Sequence, residues 1–93
     1  MTSFPSLYTF VAECDGTTSL EQVEAATLVD AVRHWNSRDG TERIPVDRLD
    51  LHEPTPITGL KRVWCISGIS HLDKLYIVHI IETTIDHPTA QAP

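Results

Sequence analysis

Cys65 and His79 are the pair of residues in this 93-residue chain whose types and spacing most readily suggest joint chemistry. Each lies in an apolar, β-branched run: Val63-Trp64-Cys65-Ile66-Ser67 and Leu75-Tyr76-Ile77-Val78-His79-Ile80-Ile81. A hairpin centred near Leu72 sets the two opposite one another, and a thiol beside an imidazole can supply the thiolate that nucleophilic catalysis requires. A register slip of one residue would give Cys65 another neighbour. Inside such runs, a small buried thiol and a hydrogen-bonded core histidine are the commoner roles, so we expect no catalytic residue here.

The remaining candidates are weaker. His71, His79 and His87 are eight residues apart, and His34 and His52 stand elsewhere, so no pair has the i, i+4 spacing of a helical metal site. Cys14 and Cys65 are too few and too distant for a zinc motif or a disulfide framework. Gly16, Gly40, Gly59 and Gly68 are isolated, so no phosphate-cradling loop is present. Neither a metal nor a cofactor is expected. Glu13 and Glu24 can face each other across a first hairpin, but paired carboxylates become acid and base only in a pocket.

Charge is the more telling feature. Thirteen acids against seven Lys and Arg leave a formal charge of −6, which argues against direct nucleic-acid binding, because that needs clustered cations. Residues 1–32 contain Glu13, Asp15, Glu21, Glu24 and Asp30 but no Lys or Arg. Such a stretch either keeps a small protein soluble or attracts a basic partner. Glu13, Asp15, Glu21 and Glu24 are the residues we expect at a protein-binding face. The N-terminus lacks the basic start and apolar core of a signal peptide, and no apolar run reaches membrane-spanning length. A cytoplasmic protein with reduced thiols, making no membrane contact, is the expectation.

These groups must be carried by a small scaffold. Ser6–Glu13 is rich enough in aromatic and β-branched residues for a strand, with Tyr8 and Phe10 on one face and Leu7 and Val11 on the other. Asp15-Gly16 is the dipeptide of a tight hairpin, so Thr17–Ala25 returns as a second strand. Ser19 and Gln22 also resemble a helix-capping pair, which would make one long helix from Leu20 to Trp35. The hairpin is preferred because Thr27 and Asp30 offer a second capping box next to a clear apolar stripe of Leu28, Ala31, Val32 and Trp35. Asn36–Gly40 has turn chemistry, and residues 41–59 are rich in charge and proline, with Ile44, Val46, Leu49, Leu51 and Ile57 as anchors. Val46–Leu51 reads equally as a short helix or an edge strand.

Two closing strands follow Lys61-Arg62, joined near Ser70–Lys74. The second is apolar on both faces except for His79, the pattern of a central strand covered on both sides. Trp64 reads as core if it shares a face with Ile66. The expectation is a single α+β domain over residues 1–93, its ordered core about 6–85 and a tail from Asp86. It comprises an antiparallel sheet of about four strands in ββαββ order, with one helix packed on a face.

The series Tyr8-Thr9-Phe10, Glu13, Gly16-Thr17, Gln22-Val23, Ala25, Asp30-Ala31, Trp35, Pro56-Ile57-Thr58-Gly59-Leu60 and Val63–Ser67 resembles a group of small bacterial proteins with the same element order. The layout is more loosely similar to HicB-type antitoxins, whose folded part also begins with a hairpin entering a helix. Size and acidity are similar to those of immunity proteins that neutralise toxic nucleases. The group itself implies no activity. Small size, one domain, net negative charge, an acidic N-terminal third and missing catalytic groups lead us to expect a non-enzymatic, immunity or antitoxin-like inhibitor of a basic toxin domain. A small ligand-binding domain or enzyme using Cys65 and His79 is the alternative, and a homodimer paired through a strand edge is compatible with either.

Overall fold

A computed structural model describes residues 5–38, 40, 42–45, 54–70 and 72–84. The chain opens with strand β1 (Ser6–Cys14), which returns as β2 (Thr17–Ala25) through Asp15 and Gly16. Both turn residues have positive φ, 54° and 80°, the geometry that matches the twist of the flanking strands and that Asp-Gly tolerates. Nine consecutive pairs from Cys14↔Thr17 to Ser6↔Ala25 follow without a bulge. Residues 17–25 are therefore strand throughout. The helix waits for Thr27, whose hydroxyl accepts from the backbone N–H of Asp30 at 3.1 Å. Among the described residues Asp30 does not return that bond to Thr27, so the expected box is a single cap.

Helix α1 (Leu28–Asn36) buries Ala31, Val32 and Trp35, with Leu28 packed beside them. Strands β3 (Thr55–Pro56), β4 (Val63–Ile69) and β5 (Leu75–Thr84) complete one antiparallel sheet in the order β2-β1-β5-β4-β3. The sheet thus has five strands where about four were expected. The added strand lies in the proline-rich segment. In the β3–β4 pairing, Ile57 donates to the Val63 carbonyl at 3.1 Å, so Thr55 is also turned toward β4 and Pro56 outward. At that outer edge the missing proline N–H leaves no ladder bond unmade. Val46–Leu51 and the tail from Asp86 lie outside the described residues.

The core is one-sided. Tyr8, Phe10, Ala12, Val23, Ile66, Val78 and Ile80 point toward the helix, and Trp64 lies half-buried on the same side. Ile44, from the segment after α1, is fully buried among them. β5 occupies the middle of the sheet as its apolar run implied, but among the described residues only one of its faces is covered. Leu75, Ile77, His79 and Ile81 are exposed on the side away from the helix. A nine-residue helix of about 14 Å can roof only part of one face, and no second layer lies on the other among the described residues. No helix of the described residues is long and apolar enough to cross a membrane.

Candidate functional site

Register decides which candidate residues meet. Ser70 N–H bonds to the Lys74 carbonyl at 2.8 Å and Glu82 N–H to the Arg62 carbonyl at 2.9 Å, so even-numbered residues form the hydrogen-bonded pairs between β4 and β5. Cys65 and His79 therefore form a non-hydrogen-bonded pair, the kind with the closer side chains. They do stand opposite one another, as a turn centred at Leu72 requires. Neither is a core residue, however: Cys65 is half-buried and His79 exposed on the open face. Among the described residues the Cys65 thiol makes one long contact of 3.8 Å, donated to the Ile66 carbonyl. The row continues to Val11 and Leu20 on one side and Thr55 on the other. Among the described residues no cluster of three or more His, Cys, Asp or Glu could hold a metal ion.

The four acidic candidates do not share one face. Glu13 pairs with Thr18 and Glu24 with Leu7, so the two carboxylates do not oppose each other; about 20 Å of strand separates their rows. Glu24 borders a shallow depression with His34 and Arg38. Glu21 points to the helix side, where Arg43 grips both carboxylate oxygens, Nη2 to Oε2 at 2.9 Å and Nη1 to Oε1. That fork is the strong form of an Arg–carboxylate pair, and it leaves the Glu21 side chain 27% exposed. The same guanidinium lies 4.9 Å over the Trp35 ring, so the pair is also a lid on the core. Sequence spacing could not reveal this partner, which is 22 residues away in a segment without regular structure.

The Arg43 bond holds the Glu21 carboxyl below its ordinary value, partly opposed by burial. The indole N–H of Trp35 is buried with no acceptor in hydrogen-bond geometry among the described residues. A carboxyl lowered on folding stabilises the fold above its unfolded value and loses that contribution as pH falls through the folded value. The expected result is that Glu21→Gln melts below wild type at neutral pH. The two melting temperatures converge as pH falls below 4.5, the ordinary value. Parallel melting curves from pH 7 to strong acid would refute the assignment.

Glu13 and Asp15 remain together. They line an open cleft of about 430 Å³ between the two hairpin turns, with Asp73 on the facing turn and Leu75 and Ile77 as its apolar side. Lys74 is the cation of this cleft and lies 3.4 Å from Asp15, with both side chains substantially exposed. Exposed pairs of this kind contribute little, so the lysine can be displaced by a competing cation. At the opposite end of the sheet Glu82 accepts from Ser6 at 2.6 Å and more distantly from Tyr8 at 3.5 Å. Burial, then the Glu82 charge, raises the Tyr8 phenol above its ordinary value. This cluster ties β1 to β5 and was not foreseen, because it joins residues 74 or more positions apart.

Comparison with protein-family models, curated proteins and solved structures gives no match.

Proposed function

We propose that the chain is a non-enzymatic protein-binding module, an immunity or antitoxin-like inhibitor that occupies the surface of a basic, nuclease-type toxin domain. The observation that carries this reading is the cleft between the hairpin turns, where Glu13 and Asp15 stand above the apolar side chains of Leu75 and Ile77. A Lys or Arg from a partner fits such a groove with its aliphatic stem on the isoleucine and leucine and its charged head on the carboxylates. A nucleic-acid-cleaving protein must present such cations, and the net charge of −6 steers the encounter. Glu24 contributes to that field from the far end of the hairpin, and Glu21, engaged by Arg43, adds its charge from the helix side.

The test uses the full chain as bait for native partners at low and high salt, alongside a Glu13→Lys/Asp15→Lys variant. A basic partner that binds wild type and is released by salt is expected. The variant should lose about tenfold or more in affinity, as for truncation of a central charged contact. Equal retention by both proteins, or indifference to salt, would refute the cleft as the contact.

A second reading rests on the close pairing of Cys65 with His79: a small ligand-binding or thiol-chemistry site on the open face. It requires Cys65 to react with iodoacetamide faster than a free thiol, with the advantage lost in His79→Gln. Reaction at the rate of an ordinary thiol in both proteins removes it.

A further inference from the structure

The open face of the sheet is the largest unexplained feature of the fold. Leu75, Ile77 and Ile81 of β5 are exposed on it, with Ile69 of β4 and Leu20 of β2, the last 69% exposed. Val11, Val63 and Cys65 are half-buried in the same rows. These residues form an apolar field centred on β5 and β4 that reaches Val11 and Leu20, interrupted by His79, Ser67, Glu13 and Thr9 and larger than the scattered apolar residues of an ordinary surface. Among the described residues the ionisable side chains near its middle are Cys65 and His79, with Glu13 of β1 beside Ile77 and Glu24 farther out on β2.

We propose that a second copy of this chain covers the face, giving a two-layer sandwich with the helices outside. Size favours this occupant. Strand spacing of about 4.8 Å and a rise of about 3.3 Å per residue give the four-strand field a footprint of roughly 500 Å². Protruding side chains make the accessible area larger than the footprint, which places a facing copy between that footprint and the ~800 Å² per side of a standard interface.

Charge placement also suits self-association. A two-fold axis running along β5, the middle strand, lays β1 and β2 of one copy over β4 and β3 of the other. Ile77 then meets Ile77, His79 meets His79, Ile81 meets Ile81, and Val11 meets Cys65. Glu13 falls over Ser67, because Glu13, Ile77 and Ser67 share one row. No carboxylate of the field opposes another carboxylate, although each chain carries −6 overall. Aligned sheets packed this way bury the inner side chains that one short helix leaves uncovered.

Sedimentation equilibrium on the full chain from low to high micromolar concentration tests the arrangement. The mass should rise from 10.4 kDa to twice that value, and Ile77→Lys/Ile81→Lys should hold it at 10.4 kDa with an unchanged circular dichroism spectrum. Cys65 provides a second readout in a Cys14→Ser background: its alkylation should slow by about tenfold between the dilute and the dimeric regime. That measurement decides the matter if the lysine variant fails to fold. A wild-type mass that stays monomeric overturns the proposal. So does a dimer in which Cys65 reacts at its dilute rate. A dimer abolished by Thr18→Pro, at the outward N–H of the β2 edge, but untouched by the lysine pair overturns it as well. Glu13, Leu75 and Ile77 border both this face and the acidic cleft, so a second copy and a basic partner exclude one another there. The charge-reversal binding test, run where the chain is dilute and monomeric, addresses the cleft separately.

Discussion

Replacing Trp35 with alanine should lower the stability of this domain by about 3–5 kcal/mol, the largest effect expected from any single substitution. The ring has no exposed surface and is stacked on Phe10, with centroids 5.4 Å apart and an interplanar angle of 1°. Tyr76 meets it edge-on at 5.9 Å, and the Arg43 guanidinium closes the remaining side. Removing the indole therefore empties the site where α1, β1, β5 and the segment after the helix converge. It also leaves the Arg43–Glu21 pair without the surface it covers. Domains of this size have total stabilities of about 5–15 kcal/mol, so the loss is a large fraction of the whole. Thermal melting should show a fall of roughly 12–40 °C at the usual sensitivity of a small domain. A shift of only a few degrees would mean that the ring does not hold the helix to the sheet.

Asn36→Ala should be the second most damaging change, costing about 2–4 kcal/mol, because it strands two buried backbone groups at once. The Asn36 side chain donates from Nδ2 to the Ile44 carbonyl at 2.9 Å, and its Oδ1 accepts from the Ile44 N–H at 2.9 Å. The amide thus acts as a piece of strand for a residue that has none beside it. Ile44 itself is fully buried, so neither backbone group can turn to water for a substitute. The Asn36 carbonyl also accepts from Arg43 N–H at 2.9 Å, which positions the guanidinium for Glu21. Asn36→Asp should be nearly as harmful, since a carboxylate cannot donate to the Ile44 carbonyl and would be buried without a cation. Denaturant unfolding measures both variants. A loss below about 1 kcal/mol in Asn36→Ala would show that the clamp is dispensable.

The two expectations share a cause. The helix is only nine residues long, too short to be stable from its own hydrogen bonds. It is held by one aromatic anchor and one buried amide clamp, both on its last turn. The next residue, Ser37, bonds back through its hydroxyl and its N–H to the Arg33 carbonyl and ends the helix there. The turn chemistry of residues 36–40 was legible, but Asn36 proved to be the final helical residue with a buried side chain rather than a turn residue.

What the chain alone determined was local. Asp15-Gly16 specified the first hairpin because few dipeptides accept two positive φ angles in succession. Thr27 specified the start of α1 through its side-chain oxygen, and the placing of Ser70–Lys74 specified the pairing of Cys65 with His79. Alternation along β1 also foretold which residues face the core, since side chains change sides at every step of a strand. The tertiary structure decided what covers each face. An apolar run on both sides of β5 suggested two covering layers. Hydrophobicity records what would gain from burial, though, and cannot say whether this chain or another supplies the cover. The separation of the acidic residues was likewise settled only in three dimensions. Glu21 faces inward to Arg43, Glu24 lies far along the hairpin, and Glu13 and Asp15 share a cleft with a second turn. Coulomb interactions depend on distance through space, and linear spacing does not encode that distance across a sheet assembled from remote strands.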